Sequence, residues 1–143
     1  MSENKNTIIT DGQNLAERAE ELKNSGVTDV TVVVNTFNYT RYKQSNDGKS
    51  LEPVIEGINS AVGKGLGIRL NVGIKEGFND DEIMDFVQLT FQHDYEILFI
   101  GSDSFPAEEI RNKLPGFREA ASQEQDVITG KYPGAVGKIC FEK

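Results

Sequence analysis

The sequence predicts an α/β fold, because short β-branched stretches alternate with amphipathic helical patterns over residues 6–105. Four apolar stretches rich in Val, Ile and Thr predict strands at 7–10, 29–35, 68–74 and 96–100. Stripes of apolar residues at spacings of three and four predict helices at 15–22, 51–62 and 83–90. Alternation of strands and helices favours parallel strands joined by right-handed crossovers.

The third strand indicates a barrel rather than a doubly wound sheet. Its apolar residues, from Ile68 to Ile74, alternate with Arg69, Asn71 and Gly73, so one of its faces is polar. Both faces of a doubly wound sheet meet helices and are apolar, whereas the inner face of a barrel can hold a ligand. We therefore predict a partial, TIM-like (βα) barrel of four parallel strands over residues 6–105, with the helices outside.

Residues 106–143 predict a different arrangement, a C-terminal tail. A weak helical pattern follows Pro106, and the segments 127–129 and 135–141 can pair as a hairpin around the Gly- and Pro-containing turn at 130–134. The length of 143 residues fits a single domain over 1–143.

Charge and composition exclude several classes of function. Fifteen Lys and Arg against 23 Asp and Glu give a net charge of −8, which argues against nucleic acid and anionic membranes as partners. The N-terminus is polar, and the longest apolar run is too short for a membrane span, so we expect a cytoplasmic protein. One Cys and one His cannot form a disulfide or a structural metal site.

Local patterns predict several structural roles. Asn79, followed by Asp80 and the two acids after it, resembles a capping box, and Ser50 is placed to cap the second helix. Residues 39–43 are expected to be a surface patch, His93 a solvated residue at a helix end, and Cys140 a small buried residue.

Polar residues near the carboxyl ends of the strands are the candidate ligand-binding residues, because barrel folds bind ligands there. They are Thr10, Asp11, Asn35, Thr36, Arg69, Asn71, Ser102 and Asp103. The alternative is that they are loop caps and solvated residues. A buried Arg69 needs an acid or an anion nearby, so we expect Asp11, Asp103 or a small anionic ligand beside it. No residue is predicted to be catalytic or to bind a metal.

Several segments resemble one enzyme family in order along the chain. Residues 9–12 are similar to a third-strand T-T-N-G motif, residues 26–42 to a fourth-strand pattern, and residues 68–82 to V-K-I-N-V-V-x-x-x-G-x-N-D-D-E. Residues 134–141 resemble a G-x-I-G-F-I segment. The chain thus resembles the radical S-adenosylmethionine GTP 3′,8-cyclases of molybdenum cofactor biosynthesis, whose fold is an incomplete six-stranded (βα) barrel.

The departures from this family concern its chemistry. The C-x-x-x-C-x-x-C loop and the second cluster motif have no counterpart, so the resemblance covers the third to sixth barrel strands. Val33 and Asn35 replace a Ser and an Asp on the fourth strand, and Leu98 and Gly101 replace the Arg and Glu of R-F-I-E. Thr10 is kept, and Arg69 stands in place of a substrate-binding Lys. We therefore expect neither a 4Fe–4S cluster nor S-adenosylmethionine to bind.

The resemblance implies a degenerate or truncated relative, a pseudoenzyme that binds a small ligand such as a nucleotide, or a partner. Two alternatives remain: an enzyme that uses carboxylates and Arg69 without a cluster, and a structural or interaction domain. Four strands of a barrel leave two sheet edges and an inner face uncovered. We therefore expect a homodimer joined through a strand edge or the open face, involving Val33, Leu98 or residues 135–141.

Overall fold

The computed structural model describes residues 6–121 and 126–142 and contains alternating strands and helices. The elements are β1 Thr7–Thr10, α1 Leu15–Asn24, β2 Asp29–Val33, α2 Tyr39–Ser45, α3 Glu52–Gly63, β3 Gly67–Gly73, a 3₁₀ turn Asp80–Glu82, α4 Ile83–Gln92, β4 Glu96–Ile100, α5 Ala107–Asn112, β5 Arg118–Ala120, β6 Val127–Lys131 and β7 Lys138–Glu142. The chain divides into two compact units, Met1–Arg69 and Leu70–Lys143, and the division falls within β3. The predicted α/β class is confirmed.

The first unit contains a parallel strand pair covered by two helices. Strand β1 pairs with β2 in parallel, with Thr7 opposite Asp29 and Thr10 opposite Val32. Helices α1 and α3 contact each other closely, because Gly57 has no side chain where a Cβ would lie 2.7 Å from that of Leu15. Val32 and Val54, both fully buried, fill the space beside these helices.

The second unit orders its strands as β3, β4, β7, β6 and β5. Strand β7 pairs with β4 in parallel and with β6 in antiparallel fashion, so the predicted C-terminal hairpin is confirmed. Strand β5 adds a third antiparallel member that the sequence did not predict. A row of aromatic rings fills the core, with Phe99 6.4 Å from Phe86 and 6.0 Å from Phe141 between centroids.

Strand β3 has the two faces that its sequence predicts. Ile68 is 5% exposed, and Leu70, Val72 and Ile74 are fully buried. Arg69, Asn71 and Gly73 alternate with them and are only half-buried. The described residues, 6–121 and 126–142, form no closed barrel, and the single-domain organisation stays a prediction.

The expected exposure of Leu98 on an open face is wrong. Strand β7 covers the edge of β4, as expected of the spare strand, and places Cys140 opposite Leu98. Val127 from β6 packs on the same side, so Leu98 is 6% exposed. Most of the 135–141 segment is likewise inside the sheet, because Ile139, Cys140 and Phe141 are buried.

The predicted surface patch at residues 39–43 lies on a helix, and the predicted helix cap at Ser50 is wrong. Residues 39–43 belong to a helix, α2, whose first turn is capped by the Asn38 side chain, which accepts a hydrogen bond from Arg41 N at 3.0 Å. Ser50 is not the N-cap of α3: that position is Leu51, although Ser50 Oγ accepts from Glu52 N at 3.3 Å. In the described part of the chain, no helix is long and apolar enough to cross a membrane.

We predict that Gly57→Ala lowers the free energy of unfolding by about 1–3 kcal/mol, because the new methyl group overpacks the contact with α1. Gly63→Ala is the matched control in the same helix, since a Cβ there meets nothing within 4 Å. The control should be neutral or stabilising by about 0.5–1 kcal/mol through helix propensity. Urea unfolding of both variants measures the difference, and equal effects would contradict close packing at Gly57.

Candidate functional site

The carboxyl end of β1 carries two of the predicted ligand-binding residues, and both make local turn contacts. Thr10 Oγ1 accepts a hydrogen bond from Gly12 N at 3.0 Å. Asp11 Oδ1 accepts one from Gln13 N at 3.0 Å, and its side chain is exposed. These bonds form the turn into α1, and a ligand role for either residue stays a prediction.

The segment after β2 holds one exposed and one buried candidate. Asn35 is exposed, whereas Thr36 is fully buried. Thr36 Oγ1 accepts a hydrogen bond from Asn38 N at 3.0 Å, which shapes the entry into α2. Thr36 therefore has a structural contact, and Asn35 is the residue of the two that solvent can reach.

The polar face of β3 carries the most informative candidate, Asn71. Its Oδ1 atom is buried and has no hydrogen-bond partner among the described residues. Arg69 lies two residues earlier on the same face and is half-buried. Successive residues on one face of a strand are about 6.6 Å apart.

The carboxyl end of β4 is joined to the end of β3 by serine hydroxyls. Ser102 Oγ donates a hydrogen bond to Ile74 O at 2.7 Å and accepts one from Phe105 N at 3.2 Å. Ser104 Oγ accepts from Glu76 N at 3.2 Å. Asp103, between the two serines, is exposed. Ser102 therefore positions the loop after β3, and Asp103 is the group that a solute can reach.

Asn79 organises this loop in a way that the sequence analysis missed. The side chain is fully buried; its Oδ1 accepts from Lys75 N at 2.9 Å and its Nδ2 donates to Gly73 O at 2.8 Å. The predicted capping box is wrong, because Asn79 makes no side-chain cap bond to the following 3₁₀ turn. Asp80 instead accepts from Gly77 N at 2.8 Å. The G-x-N-D-D-E pattern was the signal that could have indicated this loop.

The residues of this chain do not fit a 4Fe–4S cluster, which needs several cysteine thiolates. The chain has one cysteine, Cys140, which is fully buried as predicted. Its Sγ donates to Glu96 Oε1 at 3.1 Å and lies 3.5 Å from Thr129 Oγ1. Within residues 6–121 and 126–142, no three His, Cys, Asp or Glu side chains are grouped to hold a metal ion.

The sequence predicts that His93 is a solvated residue at a helix end, but the structure gives it a packing contact as well. It is half-buried and stacks on Tyr95, with 4.6 Å between the ring centroids and 9° between the ring planes. Burial raises the pKa of the Tyr95 hydroxyl above its ordinary value. The pair has a packing role near the start of β4.

These features define an α/β protein in which one strand, β3, has a buried apolar face and a polar face. A profile described as the Radical SAM superfamily matches residues 2–90. The chain belongs to the radical SAM superfamily, which confirms the family resemblance.

The curated relatives that match are GTP 3′,8-cyclases. The enzyme from Peptoclostridium acidaminophilum is 36% identical over 152 residues, which cover 95% of this chain and 47% of that protein. The enzyme from Alkaliphilus oremlandii is 32% identical over 92% of this chain and 46% of its own length. One from Listeria monocytogenes serotype 4b is 40% identical over 95 residues, 66% of this chain. The chain spans about half the length of the first two relatives.

We predict that Asn79→Ala lowers the free energy of unfolding by about 1–3 kcal/mol, because two part-buried backbone groups, Lys75 N and Gly73 O, lose their partners. Asn112→Ala is the control, since Asn112 is exposed at the end of α5 and should tolerate alanine. Chemical unfolding followed by circular dichroism compares the two. A loss below 0.5 kcal/mol for Asn79→Ala, on the order of a surface change, would contradict its role in the loop.

Proposed function

We propose that this chain binds a small anionic ligand of the nucleotide class on the polar face of β3 and has no catalysis of its own. The observation that carries the proposal is the buried Asn71 Oδ1 atom without a hydrogen-bond partner among the described residues. A cytoplasmic place of action belongs to the same proposal.

The Asn71 oxygen favours a ligand that donates hydrogen bonds. A buried acceptor that stays unpaired costs about 1–3 kcal/mol, so natural structures keep few of them. A base N–H or a ribose hydroxyl would satisfy this oxygen. The position on a strand, rather than on a loop, holds the acceptor in a fixed direction.

Arg69 favours an anion as part of the same ligand. It is a half-buried cation on the polar face of β3, in a chain whose net charge is −8. A guanidinium presents five donors in a planar fork that matches phosphate geometry. A nucleotide carries both hydrogen-bond donors and an anionic phosphate in one molecule. The printed name of the relatives, GTP 3′,8-cyclase, refers to a nucleotide.

The proposal includes no cluster chemistry. The one cysteine of this chain is buried in β7 and donates a hydrogen bond to Glu96, so the chain has no set of thiolates that could bind a cluster. Val33 stands where the resemblance implies a hydroxyl that contacts the cofactor, and an apolar side chain provides no hydrogen bond. Binding without turnover is what these residues support.

Calorimetric titration with GTP tests the proposal through the charge at residue 69. Arg69→Gln should weaken binding by about tenfold to a hundredfold, the loss expected for one hydrogen bond to a charged group. Arg69→Lys should stay within a few-fold, since it keeps the cation. Arg18→Gln is the matched control, because it removes the same charge from an exposed position on α1.

Three results would contradict the proposal. The first is no heat and no thermal stabilisation with GTP, GDP or inorganic phosphate. The second is an equal loss for Arg18→Gln and Arg69→Gln, which would indicate a general charge effect. The third is turnover of GTP by the chain alone, which would favour the alternative of an enzyme that needs no cluster.

A further inference from the structure

The antiparallel strands of the second unit place three cations side by side on one face. Arg118 lies opposite Lys131 in the pairing of β5 with β6. Between β6 and β7, Gly130 lies opposite Ile139. The next step of this ladder places Lys131 opposite Lys138, the last residue of β6 and the first of β7. Residues directly opposite each other share a face of the sheet, so the three cations form a row across the three strands, here called the cationic row.

The cationic row is open to solvent and has no ion-pair partner. All three side chains are exposed. Within residues 6–121 and 126–142, none of them makes an ion pair. Glu96, which lies opposite Lys138 on β4, accepts a hydrogen bond from Cys140 Sγ at 3.1 Å. Like charges directly opposite each other destabilise a sheet, so an anion bound at this row would stabilise it.

The acids of the same strands are placed where they do not neutralise the row. Arg111 Nη2 on α5 donates to Glu119 Oε1 at 2.9 Å. Glu119 follows Arg118 directly, so the two side chains lie on opposite faces of β5. Glu142, the acid of β7, lies four residues beyond Lys138, which is about 13 Å along the strand. The paired cation of this region therefore lies on the helix side, and the row keeps its charge.

We propose that the cationic row binds a chain of two or three phosphate groups, either as a free oligophosphate or as the tail of a nucleotide. Two cross-strand steps separate Lys138 from Arg118, a span of about 10 Å between their Cβ atoms. A ligand with several negative charges is needed, because a single carboxylate would leave most of the repulsion in place. The guanidinium of Arg118 matches two oxygens of one phosphate, and the lysine ammonium groups bind phosphate as point charges.

A small oligophosphate fits this row better than a nucleic acid does. The positive charge is confined to three side chains, whereas the chain as a whole carries −8, which opposes a long polyanion. The site is also independent of the ligand proposed on β3, because it uses neither Arg69 nor Asn71. Each of the two sites can therefore fail without the other.

Calorimetric titration of the full chain with tripolyphosphate, at low salt and without divalent cations, tests the site. Lys131 is the central cation, so Lys131→Gln should weaken binding by about tenfold, the loss expected for one hydrogen bond to a charged group. Lys113→Gln is the matched control, because it removes the same charge from an exposed position at the end of α5. Pyrophosphate should bind more weakly than tripolyphosphate, and added salt should weaken both.

Titration with GTP and ATP separates the two sources of the phosphate chain. Equal affinity for GTP, ATP and tripolyphosphate would support recognition of the phosphates alone. Tighter binding of a nucleotide that Lys131→Gln still weakens would support a nucleotide tail. Arg69→Gln should leave the binding of tripolyphosphate unchanged, which distinguishes this site from the one proposed on β3.

Thermal unfolding gives a measurement that does not depend on binding. Without ligand and at low salt, Lys131→Gln should unfold at a higher temperature than the natural chain, because it relieves repulsion on both sides. The difference should shrink as salt is added. Tripolyphosphate should raise the unfolding temperature of the natural chain more than that of the variant.

Three results would overturn the proposal. The first is no heat and no thermal stabilisation with tripolyphosphate at low salt. The second is an equal loss of binding for Lys113→Gln and Lys131→Gln, which would indicate a general charge effect. The third is tighter binding of polyglutamate than of tripolyphosphate, which would indicate an acidic protein as the partner of the row.

Discussion

The two-residue period of strand β3 is the constraint on which the rest of the structure depends. Its even-numbered residues, from Ile68 to Ile74, are almost completely buried. A shift of one residue would put Arg69 and Asn71 on that buried face. Burying a charge and an amide without partners would cost more free energy than the packing of apolar side chains contributes. The same register fixes the polar face on which the proposed ligand site lies.

The loop after β3 shows that the most specific family resemblance has a structural basis. Asn79 bonds the backbone on both sides of the strand end, and Ser102 bonds Ile74 O from the loop after β4. None of these contacts requires a cluster or a cofactor. The loop can therefore be kept in a chain whose own residues cannot assemble the iron–sulfur site, and similarity there indicates fold more directly than chemistry.

Periodicity in the sequence predicted the elements whose burial is regular. The faces of β3 and the hairpin of β6 and β7 follow from alternation and from turn residues, which act locally. The burial of Leu98 could not be predicted this way, because β6 and β7, which cover it, come from distant sequence. Helix α2 was missed since its seven residues carry only one buried side chain, Tyr42, and no apolar stripe.

The candidate site was predictable in part. Alternation placed Arg69 and Asn71 on one polar face, but no sequence pattern shows that the Asn71 oxygen is buried and unpartnered among the described residues. Asn79 was misassigned because the same local sequence can cap a helix or hydrogen-bond the backbone within a loop, and only the path of the backbone decides between the two. Thr10 and Ser102 have turn contacts that strand-end position alone does not reveal.

The free energy of unfolding of Asn71→Leu, measured in urea with and without GTP, tests the ligand site on β3 most directly. If Asn71 is kept for binding, leucine removes an unpaired buried acceptor, so the ligand-free variant should be more stable by about 1–2 kcal/mol. The stabilisation that GTP gives the natural chain should then be reduced in the variant. A variant that is destabilised without ligand, and that gains as much stability from GTP as the natural chain, would contradict the site.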